Sequence, residues 1–157
     1  TSPFIINSQN LDKMKKIIVA LIILLSLTSN AQIKVSEHKE PELIGELKLA
    51  GKLQESIEKN GDLCIFMYRD EKYTTVDEYK NFYFKYSDLE TMYNLFTADE
   101  EKGTKKDVKL ERGSTLIIEY KKSMGSKYIS VAHIDKAGII GLFSLNIKQV
   151  NKVFGKK

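Results

Sequence analysis

The chain has 157 residues, of which 42% are hydrophobic, and its formal net charge is +4. Three lysines and one aspartate lie before residue 32, so residues 32–157 carry a net charge of only +2. This near balance excludes the strongly basic surface that is typical of nucleic-acid-binding proteins, and the length predicts a single domain.

Residues 14–31 have the three-part layout of a secretory signal peptide. Lys15 and Lys16 form a basic start, an apolar stretch follows, and Ser29 and Ala31 supply small residues before a cleavage point. The apolar stretch is shorter than the roughly 20 residues that a helix needs to cross a bilayer. We therefore expect a cleaved signal, export to the periplasm or the exterior, and no stable transmembrane anchor after cleavage.

Residues 1–13 precede the first methionine and are interpreted as an unstructured upstream extension. Residues 32–42 are polar, contain Pro41 and lack a clear period, which is typical of a loose lead before a domain. The folded domain is expected to occupy residues 43–157.

A helix is predicted over residues 43–60, because Leu43, Leu47, Ala50 and Ile57 follow a helical spacing. The continuous apolar run that comes next, residues 63–68, predicts a strand that is buried on both faces.

Residues 78–86 alternate with the period of a strand. The alternation places aromatic rings on both faces, with Phe82, Phe84 and Tyr86 on one and Tyr79 and Tyr83 on the other. Ser87 and Glu90 have the spacing of a capping box and predict the start of a second helix.

The C-terminal part carries the clearest sheet signal. Three strands joined by short turns predict an antiparallel meander over residues 115–120, 128–134 and 139–144. Asn146 is expected to cap a final helix.

These elements predict an α+β fold. A single small domain would hold an antiparallel sheet of four or five strands with two or three helices packed on it. A small partly open β-barrel is the alternative, and the sequence shows no internal repeat.

Candidate catalytic residues are few. His133 ends a predicted core strand two residues before Asp135, and Glu119 can approach it from the neighbouring strand. Together they are the acid–base groups available to a hydrolase, although nothing in the spacing requires that arrangement. Neither a paired-histidine nor a paired-cysteine motif occurs, so we expect no metal and no other cofactor.

Aromatic residues crowd residues 66–86 and suggest a binding surface. Its candidate residues are Arg69, Tyr73, Tyr79 and Tyr83. The sequence therefore favours a small exported bacterial protein that acts as a non-catalytic binding module of the cell envelope: an inhibitor, an immunity-type protein or an accessory protein. Its partner would be another envelope or secreted protein, or a glycan, and not a nucleic acid. The alternative is a periplasmic hydrolase built around His133.

Overall fold

The computed structural model of the chain describes residues 40–156. Residues 1–13, the expected signal peptide at 14–31 and most of the polar lead at 32–42 lie outside the described residues. Neither helix of the described part has the length and apolar character needed to cross a bilayer.

Within residues 40–156 the chain forms eight strands and two helices. In chain order these are β1 (Glu42–Leu49), β2 (Lys52–Asn60), β3 (Leu63–Arg69), β4 (Tyr79–Lys85), α1 (Leu89–Thr97), β5 (Lys105–Lys109), β6 (Thr115–Ser123), β7 (Ser126–Ile134), β8 (Ile140–Asn146) and α2 (Ile147–Val153). A 3-10 turn, Tyr86–Asp88, joins β4 to α1.

The strands form two antiparallel sheets, in the orders β1-β2-β3-β4 and β5-β6-β7-β8. This confirms the α+β class and the antiparallel pairing, but the strands make two sheets and not one sheet of four or five. Within residues 40–156 neither sheet closes into a barrel, so the alternative prediction of a small barrel is wrong. With only two short helices, each sheet buries its apolar face mainly against the other sheet.

The predicted helix over residues 43–60 is wrong, because β1 and β2 form a hairpin there. Its turn consists of Ala50 and Gly51, whose φ angles are 50° and 80°. Two successive positive φ angles are the mark of the tight turn that matches the twist of a hairpin. The leucine spacing that suggested a helix arises because Leu47 and Ile57 reach the core from different strands.

β3 alternates between buried and half-buried residues, so the expectation of burial on both faces is wrong. Its inward residues include Cys64, which is fully buried and whose thiol pKa is raised by burial to about 11. Its outward residues Leu63, Ile65 and Met67 are also apolar, and for that reason the alternation is invisible in the sequence.

The two helix starts have different outcomes. Asn146 caps α2 as predicted, since its side chain accepts the Gln149 N–H while the Gln149 side chain accepts the Asn146 N–H. Ser87 does not cap α1. It lies in the 3-10 turn, and α1 begins at Leu89 without a side-chain cap.

The fold contains a repeat that the sequence does not reveal. Each sheet is a four-stranded meander followed by a helix. Neither the β3–β4 pair nor the β7–β8 pair contains a register shift. Tyr68 and His133 are equivalent, because each is the last but one residue of its strand. An aspartate follows each third strand, Asp70 in the first sheet and Asp135 in the second.

Phenylalanine rings from both sheets form the centre of the core. Phe66 of β3 lies 4.8 Å from Phe82 of β4 and 5.3 Å from Phe143 of β8, measured between ring centroids. Phe96 of α1 and Phe154, which follows α2, complete the cluster. Both helices therefore pack on the inward face of the first sheet.

Replacing Gly45 with alanine should lower the free energy of unfolding by about 1–3 kcal/mol. A methyl group at this position of β1 would overlap the carbonyl oxygens of Lys152 and Val153, so α2 would have to move. Urea unfolding measures the change. Lys48→Ala, on the exposed part of the same strand, is the control and should stay within about 0.5 kcal/mol of the parent protein. Equal losses in the two variants would contradict this account of Gly45.

Candidate functional site

The first candidate site is a group of buried polar residues where the two sheets meet. The Tyr68 hydroxyl and His133 Nδ1 are 2.8 Å apart, and these side chains are 0% and 4% exposed. Gly141 permits this contact, because a side-chain carbon there would overlap the Tyr68 hydroxyl. Burial lowers the pKa of His133, while the charge of Asp135 raises it and that of Lys80 lowers it. The imidazole is therefore neutral at pH 7 and screened from solvent.

The predicted catalytic residues do not converge. Asp135 stabilises the β7–β8 turn, where its carboxylate accepts the N–H groups of Ala137 and Ile139, each at 2.8 Å. The Ile139 bond, then that of Ala137, lowers the Asp135 pKa against the effect of desolvation. Glu119 lies in β6 among the residues that alternate with the buried ones, so it points away from His133. Its carboxylate is 3.5 Å from the Lys121 ammonium.

Asp70 and Glu71 close the open edge of β8, and we call this pair the edge clamp. The Asp70 carboxylate accepts the Leu142 N–H at 3.0 Å, and the Glu71 carboxylate accepts the Ser144 N–H at 2.9 Å. The Glu71 N–H donates to the Leu142 carbonyl at 2.8 Å. An unpaired strand edge is a template for aggregation, and here loop carboxylates take the place of a neighbouring strand.

Lys80 neutralises the clamp from β4. Its ammonium lies 2.8 Å from the fully buried Asp70 carboxylate and donates to the Ile140 carbonyl at 3.1 Å. Desolvation raises the pKa of Asp70, but the hydrogen bonds from Lys80, Leu142 and Lys72 outweigh this effect and lower the pKa overall. From the sequence alone, Asp70 and Glu71 are typical of a solvated turn. This interpretation is incomplete, because Asp70 is buried.

Glu55 of β2 is the most perturbed carboxyl of the site. It is 5% exposed, and its Oε2 atom has no hydrogen-bond partner among residues 40–156. In the register of the first sheet it lies between Leu47 and Tyr68. Desolvation, followed by the charge of Glu71, raises its pKa to about 8. Glu55 is therefore protonated at neutral pH, and nothing in the sequence pattern distinguishes it from a surface glutamate.

The second candidate site is the outward face of the first sheet, opposite the helices. The Arg69 Nε donates to Asp77 at 2.8 Å, and its guanidinium also donates to the Tyr73 carbonyl at 3.2 Å. Tyr79, opposite Arg69 in the register, is 39% exposed, and its hydroxyl donates to the Leu53 carbonyl at 2.9 Å. Arg69 and Tyr79 thus come together at one end of β3 and β4. Only the backbone carbonyl of Tyr73 joins them, because the Tyr73 ring lies 6.0 Å from the ammonium of Lys80.

Tyr83 lies further along the same face of β4, as the strand alternation predicts. The guanidinium carbon of Arg112, from the β5–β6 loop, lies 4.3 Å from the centre of its ring. Beside the tyrosines, the neighbouring strand β3 presents Leu63, Ile65 and Met67, all half-buried. We call these three residues with Tyr79 and Tyr83 the outer apolar face. The β3 residues were missed because the run was interpreted as wholly buried.

A cleft of about 270 Å³ lies between the end of α1 and the β6–β7 hairpin. Its rim is charged, but Lys127 on one side pairs with Asp99 on the other. Within the described part of the chain, no group of three or more His, Cys, Asp or Glu side chains could hold a metal ion.

No family model, no curated protein and no solved structure matches the chain.

Replacing Glu55 with glutamine should remove a pH dependence of folding stability. The carboxyl binds its proton more tightly in the folded protein, where its pKa is about 8, than at the ordinary value of 4.5. Its contribution is therefore fully present below pH 4.5 and is lost as the pH rises through 8, by at most about 1.4 kcal/mol per pH unit. Urea unfolding between pH 5 and 9 measures the slope.

Glu58→Gln, on the other face of β2, is the matched control and should keep the parent profile. The interpretation of Glu55 fails if Glu55→Gln loses stability with rising pH as steeply as the parent protein.

Proposed function

We propose that this chain is a small exported interaction module that binds a protein partner through the outer apolar face. The observation that carries the proposal is that apolar side chains continue onto the face of the first sheet that neither helix covers. In a sheet with one solvated face, each strand normally alternates apolar inward residues with polar outward residues. In β3 the outward residues Leu63, Ile65 and Met67 are apolar.

The side chains of this face are direct neighbours. The register pairs Ile65 with Tyr83 and Arg69 with Tyr79. Paired residues on adjacent strands bring their side chains into contact, so the face is continuous along both strands. Tyrosine and arginine are also the residue types most enriched among those that dominate binding energy at protein interfaces.

The geometry favours a protein over a glycan. Sugar rings stack on open aromatic faces, but Arg112 covers one face of the Tyr83 ring. The hydroxyl of Tyr79 is already bound to the Leu53 carbonyl of β2, which fixes its ring across the end of β3. Rings held in this way lose little conformational entropy on binding, which suits a flat protein interface.

The charges around the face suggest the chemistry of the partner. Lys85 pairs with Glu111 at 2.5 Å, and Lys52 pairs with Asp77 at 3.0 Å. Arg112 has no carboxylate within ion-pair distance among residues 40–156. A partner with an apolar centre and a carboxylate facing Arg112 would therefore complement this surface.

The expected signal peptide supports a partner among envelope or secreted proteins, where the chain would act as an inhibitor, an immunity-type protein or an accessory protein. The alternative, a hydrolase built around His133, lacks support in the geometry. His133 is buried against Tyr68, and Glu119 points away from it.

A photo-reactive side chain at Asn81, beside the outer apolar face, should cross-link to the partner in an extract of exported proteins. The same group at Leu142, the equivalent exposed position of the second sheet, is the control and should give no such adduct. Adducts of equal yield from the two positions would contradict the proposed surface.

With the cross-linked protein purified, the double variant Tyr79→Ala and Tyr83→Ala should weaken its Kd by about 100-fold or more, because two aromatic anchors are lost. Tyr128→Ala, on the outward face of the second sheet, should leave the Kd unchanged. Calorimetric titration measures both. An unchanged Kd in a folded double variant would refute the proposal.

A further inference from the structure

We propose that the outer apolar face also binds a second copy of this chain, in a two-fold interface where Glu58 of each copy pairs with Arg112 of the other. The inference rests on the surface used in the proposed function, but not on the identity of the partner that binds there.

One row of outward residues across the first sheet carries the inference, and we call it the charge row. The register pairs Glu58 of β2 with Ile65 of β3, and Ile65 with Tyr83 of β4. Arg112 ends the row, because its guanidinium carbon lies 4.3 Å from the centre of the Tyr83 ring. The charge row therefore has an apolar centre, a carboxylate at one end and a guanidinium at the other.

Both end charges lack an opposite charge within the described part of the chain. Among residues 40–156, neither the Glu58 carboxylate nor the Arg112 guanidinium takes part in an ion pair. Each of the three lysines of β1 and β2 pairs with another carboxylate. Glu58 is also half-buried, so its charge is only partly solvated. The chain thus has the carboxylate that Arg112 requires, but it can supply it only from another copy.

A two-fold axis makes the charge row complementary to itself. The axis lies between the two copies and runs parallel to the strands, over the boundary between β3 and β4. It turns the row end for end, so Ile65 faces Tyr83 of the other copy and Glu58 faces Arg112. Because a two-fold interface uses every contact twice, this one arrangement gives two ion pairs.

The other rows of β3 and β4 bring no like charges together under the same axis. Facing strands of packed sheets stay within about 30° of each other, so these rows remain opposed near the axis. The facing pairs are Met67 with Asn81, Arg69 with Tyr79, and Leu63 with Lys85. An arginine beside a tyrosine ring is itself a favourable contact, so the neighbouring rows support the same arrangement.

The size of the face predicts a weak dimer. Four strands with about seven residues each cover roughly 23 Å by 19 Å, which is less than the standard interface of about 800 Å² per partner. We expect a Kd on the order of 10–100 µM. Since the partner of the proposed function uses the same face, the dimer has to separate before that partner binds.

Sedimentation equilibrium of the purified protein tests the dimer. The weight-average mass should rise from one chain to two as the concentration passes through the expected Kd. Glu58→Arg and Arg112→Glu should each weaken the dimer by about tenfold or more, because like charges then face each other. A parent protein that stays monomeric up to about 1 mM overturns the inference.

Rescue of the charges separates pairing from any other effect of the variants. An equimolar mixture of Glu58→Arg and Arg112→Glu should dimerise again, because one copy has two positive ends and the other has two negative ends. The double variant should dimerise with itself for the same reason. Lys148→Glu, on the exposed side of α2, is the control and should leave the Kd unchanged. If neither the mixture nor the double variant recovers the dimer, Glu58 does not pair with Arg112 and the inference is wrong.

A photo-reactive side chain at Asn81 tests the orientation of the two copies. In purified protein it should give an adduct of twice the chain mass, joined to β3 of the other copy near Met67. The absence of such an adduct above the Kd would overturn the arrangement. This result is independent of the proposed function, because binding of the partner is measured by its own Kd with the variants of Tyr79 and Tyr83.

Discussion

The fold depends on how the polar groups are satisfied where β3 ends against the edge of β8. Backbone groups at the edge of a sheet lack a neighbouring strand, and those that are shielded from water are costly to leave unpaired. The chain meets this constraint with side chains: Asp70 and Glu71 accept from the β8 backbone, and Lys80 both neutralises Asp70 and donates to the Ile140 carbonyl. The sheets can then pack at close range, as the ring contacts of Phe66 with Phe143 require.

The two halves of the fold share a topology but use equivalent positions differently. Asp70 bonds across to the other sheet, whereas Asp135 bonds within its own turn. Glu55 pairs with Tyr68 in the first sheet, and Leu116 pairs with His133 at the equivalent position of the second. Only Leu116 is apolar. One half therefore carries the polar contacts of the junction and the other keeps a mainly apolar core.

Sequence reasoning succeeded where the period of a single element is visible. The alternation of β4 correctly placed Tyr79 and Tyr83 on one face, and Asn146 correctly marked the start of α2. It failed where an interpretation needs tertiary partners. The 43–60 segment has helical spacing, but its two positive φ angles turn it into a hairpin, and the space beside Gly45 is filled by α2. Burial decided the role of Glu55, and burial of a lone glutamate leaves no local signal.

The two faces of the first sheet are subject to opposite demands. On the inward face, Tyr68 and Lys80 make polar contacts with the second sheet, and Glu55 lies beside Tyr68. On the outward face, Ile65, Met67 and Tyr83 are half-buried and point away from the core, and Arg112 covers one face of the Tyr83 ring. Because strand residues alternate between faces, each position of β3 and β4 serves only one of these demands. The outward residues of β3 and β4 can therefore be substituted to fit a partner while the inward residues keep the contacts between the sheets.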